Sequence, residues 1–217
     1  MKSHLVRITV ASVALVLASS ARAQYDQYQR PNLDGFSLGQ TLLIVNWEIS
    51  KPVGGFHDYI SDWSLRGFST EARYKIRQNI SVGASFSWNR FNQTFNNLTI
   101  NIPGGVISGP VYRYFDMFAI RGIAHYYFMD GPIQPYAGFG IGGNWAYAFQ
   151  QTADLINSQS GFFFIVDPEI GVLVQLMSGR TSLDLNIAFR YTYSTADAGK
   201  QPEIHVISPI VGLAWSF

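Results

Sequence analysis

The chain has no cysteine. Disulfides, thiolate metal sites, a cysteine nucleophile and a lipid-modified cysteine at a mature N-terminus are therefore excluded. Charge is scarce, with Asp, Glu, Lys and Arg at 13% of 217 residues, about half the share of an ordinary soluble domain. Past residue 23 there is no apolar run of 18 residues, so no transmembrane helix is expected. A strong helical period is missing as well. No patch of Lys and Arg marks a nucleic-acid footprint. In place of these the chain has aromatics, at 15%, and 20 glycines. Low charge with many aromatics and glycines suits a barrel whose outer face touches lipid.

Residues 1–23 read as a signal peptide. Lys2 and Arg7 are its positive region, Ile8 to Ala18 its short apolar core, and Ala21-Arg22-Ala23 a small-x-small cleavage site. Cleavage removes Lys2, Arg7 and Arg22 and no acidic residue, leaving a slight negative balance. Residues 24–34 read as a short polar periplasmic tail, and 35–217 as one barrel domain.

From Phe36 onward, apolar and polar residues alternate in blocks about every 20–25 residues. Strand two is the cleanest: Phe68, Thr70, Ala72, Tyr74 and Ile76 face one way, and Gly67, Ser69, Glu71, Arg73 and Lys75 the other. Strand one, about Phe36 to Ile49, changes register part-way and calls for a β-bulge near Gln40. Strand six contains Pro168, which removes a ladder donor and predicts a bulge or local break. Eight such strands alternate with connections of two lengths. Short ones fall near 77–79, 129–134 and 177–180, and long ones near 50–63, 92–110, 150–161 and 194–203. Short periplasmic turns with long external loops are the habit of outer-membrane barrels. No charge falls on the apolar face between Phe68 and Tyr191 in these registers, where Arg or Lys at mid-bilayer would cost about 2–4 kcal/mol. A soluble lipocalin-like barrel needs the bulky set inside, and that set is too large for an eight-stranded interior. The fold expected is an all-β, eight-stranded antiparallel up-and-down transmembrane β-barrel in the outer membrane of a Gram-negative-type bacterium, with both termini periplasmic.

The last stretch has Val211, Leu213, Trp215 and Phe217 on one face and Ser208, Ile210, Gly212, Ala214 and Ser216 on the other. Gly212, Trp215 and Phe217 resemble the C-terminal signal that the barrel-assembly machinery reads in such proteins; Ile210 stands where that pattern has a polar residue. The stretches Asp58–Asp62, Arg66–Phe68, Glu71–Tyr74, Asn79–Gly83, Pro135–Gly142 and Pro168–Val172 together resemble the small outer-membrane β-barrel family related to the OmpA transmembrane barrel and to OmpW. The resemblance implies an eight-stranded barrel and no particular activity. With the chain ending at Phe217, the peptidoglycan-binding domain of full-length OmpA proteins is expected to be absent.

The inward face carries the candidate site: Glu71, Asp167, Glu169 and Asp184 against Arg73, Lys75, Arg121 and Arg190, with His125 among them. Buried charges in so narrow a lumen must pair. Counting from the short turns puts Glu71, Arg121 and Glu169 at one depth, as one network bridged by Arg121. The inward glycines of strand five leave room for long side chains from across the lumen. The leading reading is a structural or surface barrel with a side-chain plug and recognising external loops. The alternative is a narrow channel for ions or small apolar solutes, and the third is a lipid-modifying enzyme. His205 and Ser208, three apart, fall on opposite faces and give no catalytic pair. No catalytic residue, metal or cofactor is assigned; His57, Asp58 and Asp62 read as a surface turn, and 92–110 as a mobile external loop. Expected partners are outer-membrane lipids, lipopolysaccharide and the assembly machinery, with no nucleic acid, around a monomer.

Overall fold

The computed structural model describes residues 35–102, 105–152, 155–177, 181–195 and 203–217. The expected signal peptide, the whole of the tail at 24–34, the turn at 178–180 and the connection at 196–202 lie outside these residues. Eight strands close into a barrel in which each pairs antiparallel with the next and the last with the first. They are β1 (Thr41–Val53), β2 (Ser64–Arg77), β3 (Ile80–Ile102), β4 (Gly105–Tyr127), β5 (Ile133–Thr152), β6 (Leu155–Met177), β7 (Ser182–Ser194) and β8 (Ile204–Ser216). One short helix, α1 (Gly55–Tyr59), joins β1 to β2.

The period-two pattern sets the two faces. Leu43, Val45, Trp47, Phe68, Tyr74 and Phe139 stand exposed, while Asn46, Glu48, Ser69, Glu71 and Arg73 are buried. One hydrogen-bonded row links six outward aromatics across β1 to β6: Trp47, Phe68, Trp88, Phe118, Trp145 and Phe162. Neighbouring rings along it sit 5.9 to 6.4 Å apart from Phe68 to Phe118. With the strands tilted, the row climbs obliquely over the outer face and lays its rings against lipid. Two positions along β3 and β4 from Trp88 and Phe118, Arg90 makes a two-point ion pair with Asp116, at 2.7 and 2.8 Å. Polar charge thus returns to the outer face directly past the aromatic row.

Three expectations are corrected, the start of β1, the place of its bulge and the loops at 92–110 and 150–161, while the local break expected at Pro168 is present. Phe36 to Gln40 is not strand. Gly35 and Gly39 take left-handed φ of 72° and 80°, which glycine adopts without cost, and the Gln40 amide oxygen accepts from Ser37 N at 2.6 Å. The register change near Gln40 is therefore a tight turn that tucks Phe36 into the barrel end; the bulge in β1 lies between Glu48 and Ser50. Residues 92–110 and 150–161 are mostly strand as well. β3 and β4 pair as far as Ile102 with Gly105, and β5 and β6 as far as Thr152 with Leu155. Asparagines disfavour strands, but Phe91, Thr94, Phe95, Thr99 and Ile100 favour them, and pairing in a hairpin satisfies the main-chain groups that face the partner strand. At Pro168 the ladder breaks on one side only. Pairing with β5 continues through Phe139, while the β7 ladder skips from Val166 to Glu169 without changing register.

Inside, two apolar layers enclose a charged one. At the short-turn end lie Phe36, Leu42, Ile44, Tyr127, Tyr136 and Leu173. At the long-hairpin end lie Phe91, Phe115, Met117, Ile204 and Val206, with Phe56 and Ile60 from α1 and the chain after it. Phe56 packs edge-on against Phe91 and Phe115, with ring centroids at 5.5 and 4.8 Å, so α1 caps the barrel mouth.

Candidate functional site: the charged lumen

The centre of the lumen is a hub built on two guanidinium groups. Arg190, on β7, donates to three carboxylates: Nη1 to Glu48 at 2.6 Å, Nη2 to Glu71 at 2.6 Å and Nε to Glu169 at 2.7 Å. Arg73, on β2, donates to Glu71 Oε2 from Nε at 2.8 Å and Nη2 at 2.6 Å, and reaches Glu169 at 3.3 Å. The strand alternation aims these side chains inward, and the barrel's small radius makes them meet. The Tyr136 hydroxyl lies 2.9 Å from both Glu169 Oε1 and Asn186 Oδ1. Amides close the rim: Asn89 donates to Glu48 at 2.9 Å, Asn46 to Glu71 at 3.4 Å and Asn186 to Asn46 at 2.9 Å. Every carboxylate oxygen of Glu48, Glu71 and Glu169 accepts at least one such bond.

The candidate residues divide into two groups and two outliers. Glu71, Arg73, Glu169 and Arg190 form the hub with Glu48, which the sequence reading left out of the charge set. Arg121 does not bridge Glu71 and Glu169; it pairs with Asp167. The counted level holds only in part: Glu71, Ser85 and Arg121 follow one another across β2, β3 and β4, but the row then runs to Gly142 and Ile165, while Glu169 falls on the row of Gly138 and His125. Tilted strands make such rows run oblique to the barrel axis, so equal counts are not equal depths. His125 places Nε2 3.7 Å from Glu169 Oε1 and its ring edge-on to Tyr136 at 5.3 Å. Lys75 sits at the short-turn end, donating to Phe36 O at 2.6 Å and Asp130 at 3.3 Å. Asp184 is buried with no ion-pair partner among the described residues. Five inward carboxylates thus face Arg73, Lys75, Arg121 and Arg190, and the expected neutrality gives way to one excess negative charge when His125 is neutral.

Gly138 and Gly140 show why β5 is glycine-rich. A Cβ on Gly138 would strike the His125 ring, and one on Gly140 would press on Arg121 Cδ at 3.3 Å. These long side chains come from β4, the adjacent strand, and not from across the lumen. At the mouth, Arg113 donates to Tyr59 O at 2.8 Å and lies 4.8 Å over its ring. Burial pushes the Tyr59 hydroxyl above the usual tyrosine pKa, with the Arg113 charge offsetting part of that rise.

At the seam, Phe217 N donates to Thr41 O at 3.0 Å and Thr41 N to Phe217 O at 2.9 Å. Trp215 faces outward beside Leu43 and Leu183. A Cβ on Gly212 would meet Asn46 Oδ1 and Val45 O, so Gly212 makes space for an amide of the hub's rim.

The family model described as "Outer membrane protein beta-barrel domain" matches residues 11–217. The chain belongs to that family. No curated protein matches it in sequence. Among solved structures, Neisserial surface protein A is similar over 82% of this chain and 99% of its own, with TM-score 0.58 and 15% identity. Ail, the attachment invasion locus protein of Yersinia pestis, is similar over 83% of this chain and 99% of its own, with TM-score 0.50 and 12% identity. At these identities the likeness is one of fold, and family and fold together place the chain in the Gram-negative outer membrane.

Within this outer-membrane barrel, Glu71, His125 and Glu169 bring ligand-type atoms within 4.8 Å of one another. Two fixed guanidinium charges already hold both carboxylates, and a metal ion would have to displace them, so the two glutamates serve as ion-pair partners with His125 beside them. His205 and Ser208 point apart. His205 Nδ1 lies 2.5 Å from the Tyr191 hydroxyl on the outer face, and Ser208 lies 2.8 Å from Ser50 inside. His57 and Asp58 are exposed on α1. Sequence reasoning missed Tyr136 and Glu48 as hub members. Both stand in inward register, and that parity was the signal available.

Proposed function

We propose that this protein is a structural or surface barrel whose lumen is closed by the Arg73–Arg190 hub. The observation that carries the proposal is Arg190, buried and holding Glu48, Glu71 and Glu169 at 2.6 to 2.7 Å between two apolar layers. A guanidinium with all three nitrogens engaged by carboxylates is a strong, directional lock. The long β3–β4 and β5–β6 hairpins stand on the external side and recognise a ligand or surface, which puts both termini in the periplasm. Residues 1–23 are removed as a signal peptide, and Phe217 is read during assembly. The aromatic row contacts acyl chains; Arg90, with Arg66 and Lys51 nearby in the register, meets lipid and lipopolysaccharide headgroups. The barrel acts as a monomer and without enzymatic chemistry. Planar-bilayer recording of refolded protein tests this reading: ion conductance should stay at the lipid baseline. Stepwise conductance in the wild type would favour a narrow channel for ions or small solutes, and altered lipopolysaccharide acylation in cells would favour a lipid-modifying enzyme.

A further inference from the structure

Beside the hub lies a second, looser region. A cavity of about 10 Å³ is lined by Arg121, Ile123, His125, Phe139, Gly140, Asp167, Glu169 and Arg190. That measure corresponds to about one water molecule. Two of the residues that line it carry buried nitrogens, Arg121 Nη1 and His125 Nδ1, with no hydrogen-bond partner among the described residues. Both residues are about 4% exposed. Leaving such groups unpaired is costly, and a polar cavity of this size is where a bound water belongs.

We propose that this cavity is a binding site for water and the central station of a proton relay through a lumen that ions cannot cross. The inference rests on the plugged reading of the barrel. Buried polar side chains continue from the cavity in both directions. Toward the long hairpins, Thr192 approaches Asp167, and Asn144 Nδ2 donates to Ser194 at 3.4 Å. Toward the short turns, Glu169 leads to Tyr136 and Asn186, and Asp184 follows on the same inward face of β7. His125, which lines the cavity, is the group that connects it to this second half, since its Nε2 lies 3.7 Å from Glu169 Oε1. The charged and titratable groups around His125 are Glu169 on β6, Glu71 and Arg73 on β2, Tyr136 on β5 and Arg121 on its own strand.

The relay works by paired hops. The water gives a proton to His125 Nδ1 and takes one from the Asp167 side, while Nε2 releases its proton toward Glu169. A half-turn of the ring exchanges the nitrogens between the two sides, so the next proton enters at Nε2 and leaves from Nδ1, and a second half-turn then returns the starting tautomer. Glu169 passes each proton on through the Tyr136 hydroxyl, 2.9 Å away, so every site ends with the protons it began with. An ion with a hydration shell needs an open passage, which the hub closes, whereas a proton needs only the buried polar side chains that run beside the apolar clusters.

The test uses the full mature chain refolded into vesicles that hold a pH-sensitive dye, with valinomycin and potassium to balance charge. Potassium flux without ionophore is measured in parallel. Wild-type vesicles should collapse a pH gradient about tenfold faster than protein-free ones while passing no potassium above background. Gly140→Ala places a methyl group in the cavity at 3.3 Å from Arg121 Cδ and 3.5 Å from Asp167 Cβ, a contact the neighbours accommodate with small shifts. It should return proton flux close to the protein-free rate, and His125→Gln should do the same. Gly109→Ala, where an added Cβ meets nothing within 4 Å, should leave flux unchanged. Heat-modifiable migration on gels verifies that each variant is folded. Wild-type proton flux at the protein-free rate overturns the relay and leaves the plug standing. Equal flux from folded wild type and Gly140→Ala overturns the cavity's role. Potassium crossing as fast as protons overturns both readings.

Discussion

The two halves of the charged lumen use the same residue types and reach different ends. On the side of β1, β2 and β7, Arg190 and Arg73 hold three glutamates, and with Asn89 and Tyr136 they leave each carboxylate oxygen engaged. On the side of β4 and β5, among the described residues, Arg121 pairs with Asp167 alone, and nitrogens of Arg121 and His125, which line a small cavity, have no partner. Neighbours decide the difference. The first half is filled in by Asn46, Asn89, Asn186 and Tyr136. The second is walled by Gly138, Gly140 and Gly142, which supply no hydrogen-bonding side chain. A buried ion cluster is cohesive when its remaining lone pairs and protons are satisfied, and becomes a weak point when they are not.

The largest effect should come from Arg190→Ala. It strips one cation from three buried glutamates, and removing one member of a buried pair typically costs about 3–5 kcal/mol. Urea unfolding in detergent should show that loss. Arg121→Ala removes a single partner beside a cavity that admits water, so its cost should be clearly smaller. If the two variants unfold alike, the halves are not different in kind.

The mouth offers the next comparison. Phe56→Ala deletes an aromatic packed on Phe91 and Phe115, and burying such a ring is worth about 3–5 kcal/mol in a core. Because α1 is one short helix, the loss should appear as faster proteolysis between β1 and β2, with the barrel's own unfolding midpoint little changed. A matching fall in global stability would show that α1 is integral to the barrel.

Much of this was readable beforehand. Faces, strand number and closure follow from period-two alternation, because a bilayer outside and a narrow lumen inside forbid the opposite arrangement. The partner of Arg121 was not readable. Sequence position fixes depth along a strand, but shear displaces one strand against the next, and that shift decides whether Arg121 reaches Asp167 or Glu169. The hairpin strands at 92–110 were hidden by asparagines whose local preference was overridden by pairing. Glu48 was visible by parity, but its position at a bulge near the end of β1 obscured that it reaches the centre.

A smaller effect separates the hub's own members. Tyr136→Phe removes one hydroxyl from Glu169 and Asn186 and should cost about 1.5–3 kcal/mol, the range for a hydrogen bond to a charged group. Equilibrium unfolding beside Arg190→Ala gives the ranking. The smallest effect is at Tyr59. Its folded pKa is raised by burial, so the stability it lends to α1 docking is present below the usual tyrosine value of about 10 and is lost as pH rises through the raised value. Trp63 fluorescence in a protein with the other tryptophans replaced should report loosening only in that alkaline range, and Tyr59→Phe should abolish the transition.

The central claim is that Arg190 closes the lumen, and planar-bilayer recording of wild type, Arg121→Ala and Arg190→Ala under one salt gradient tests it most directly. The account predicts no ion conductance for wild type or Arg121→Ala and frequent open steps for Arg190→Ala. Conducting wild-type protein, or an Arg190→Ala barrel that folds and stays silent, would contradict it.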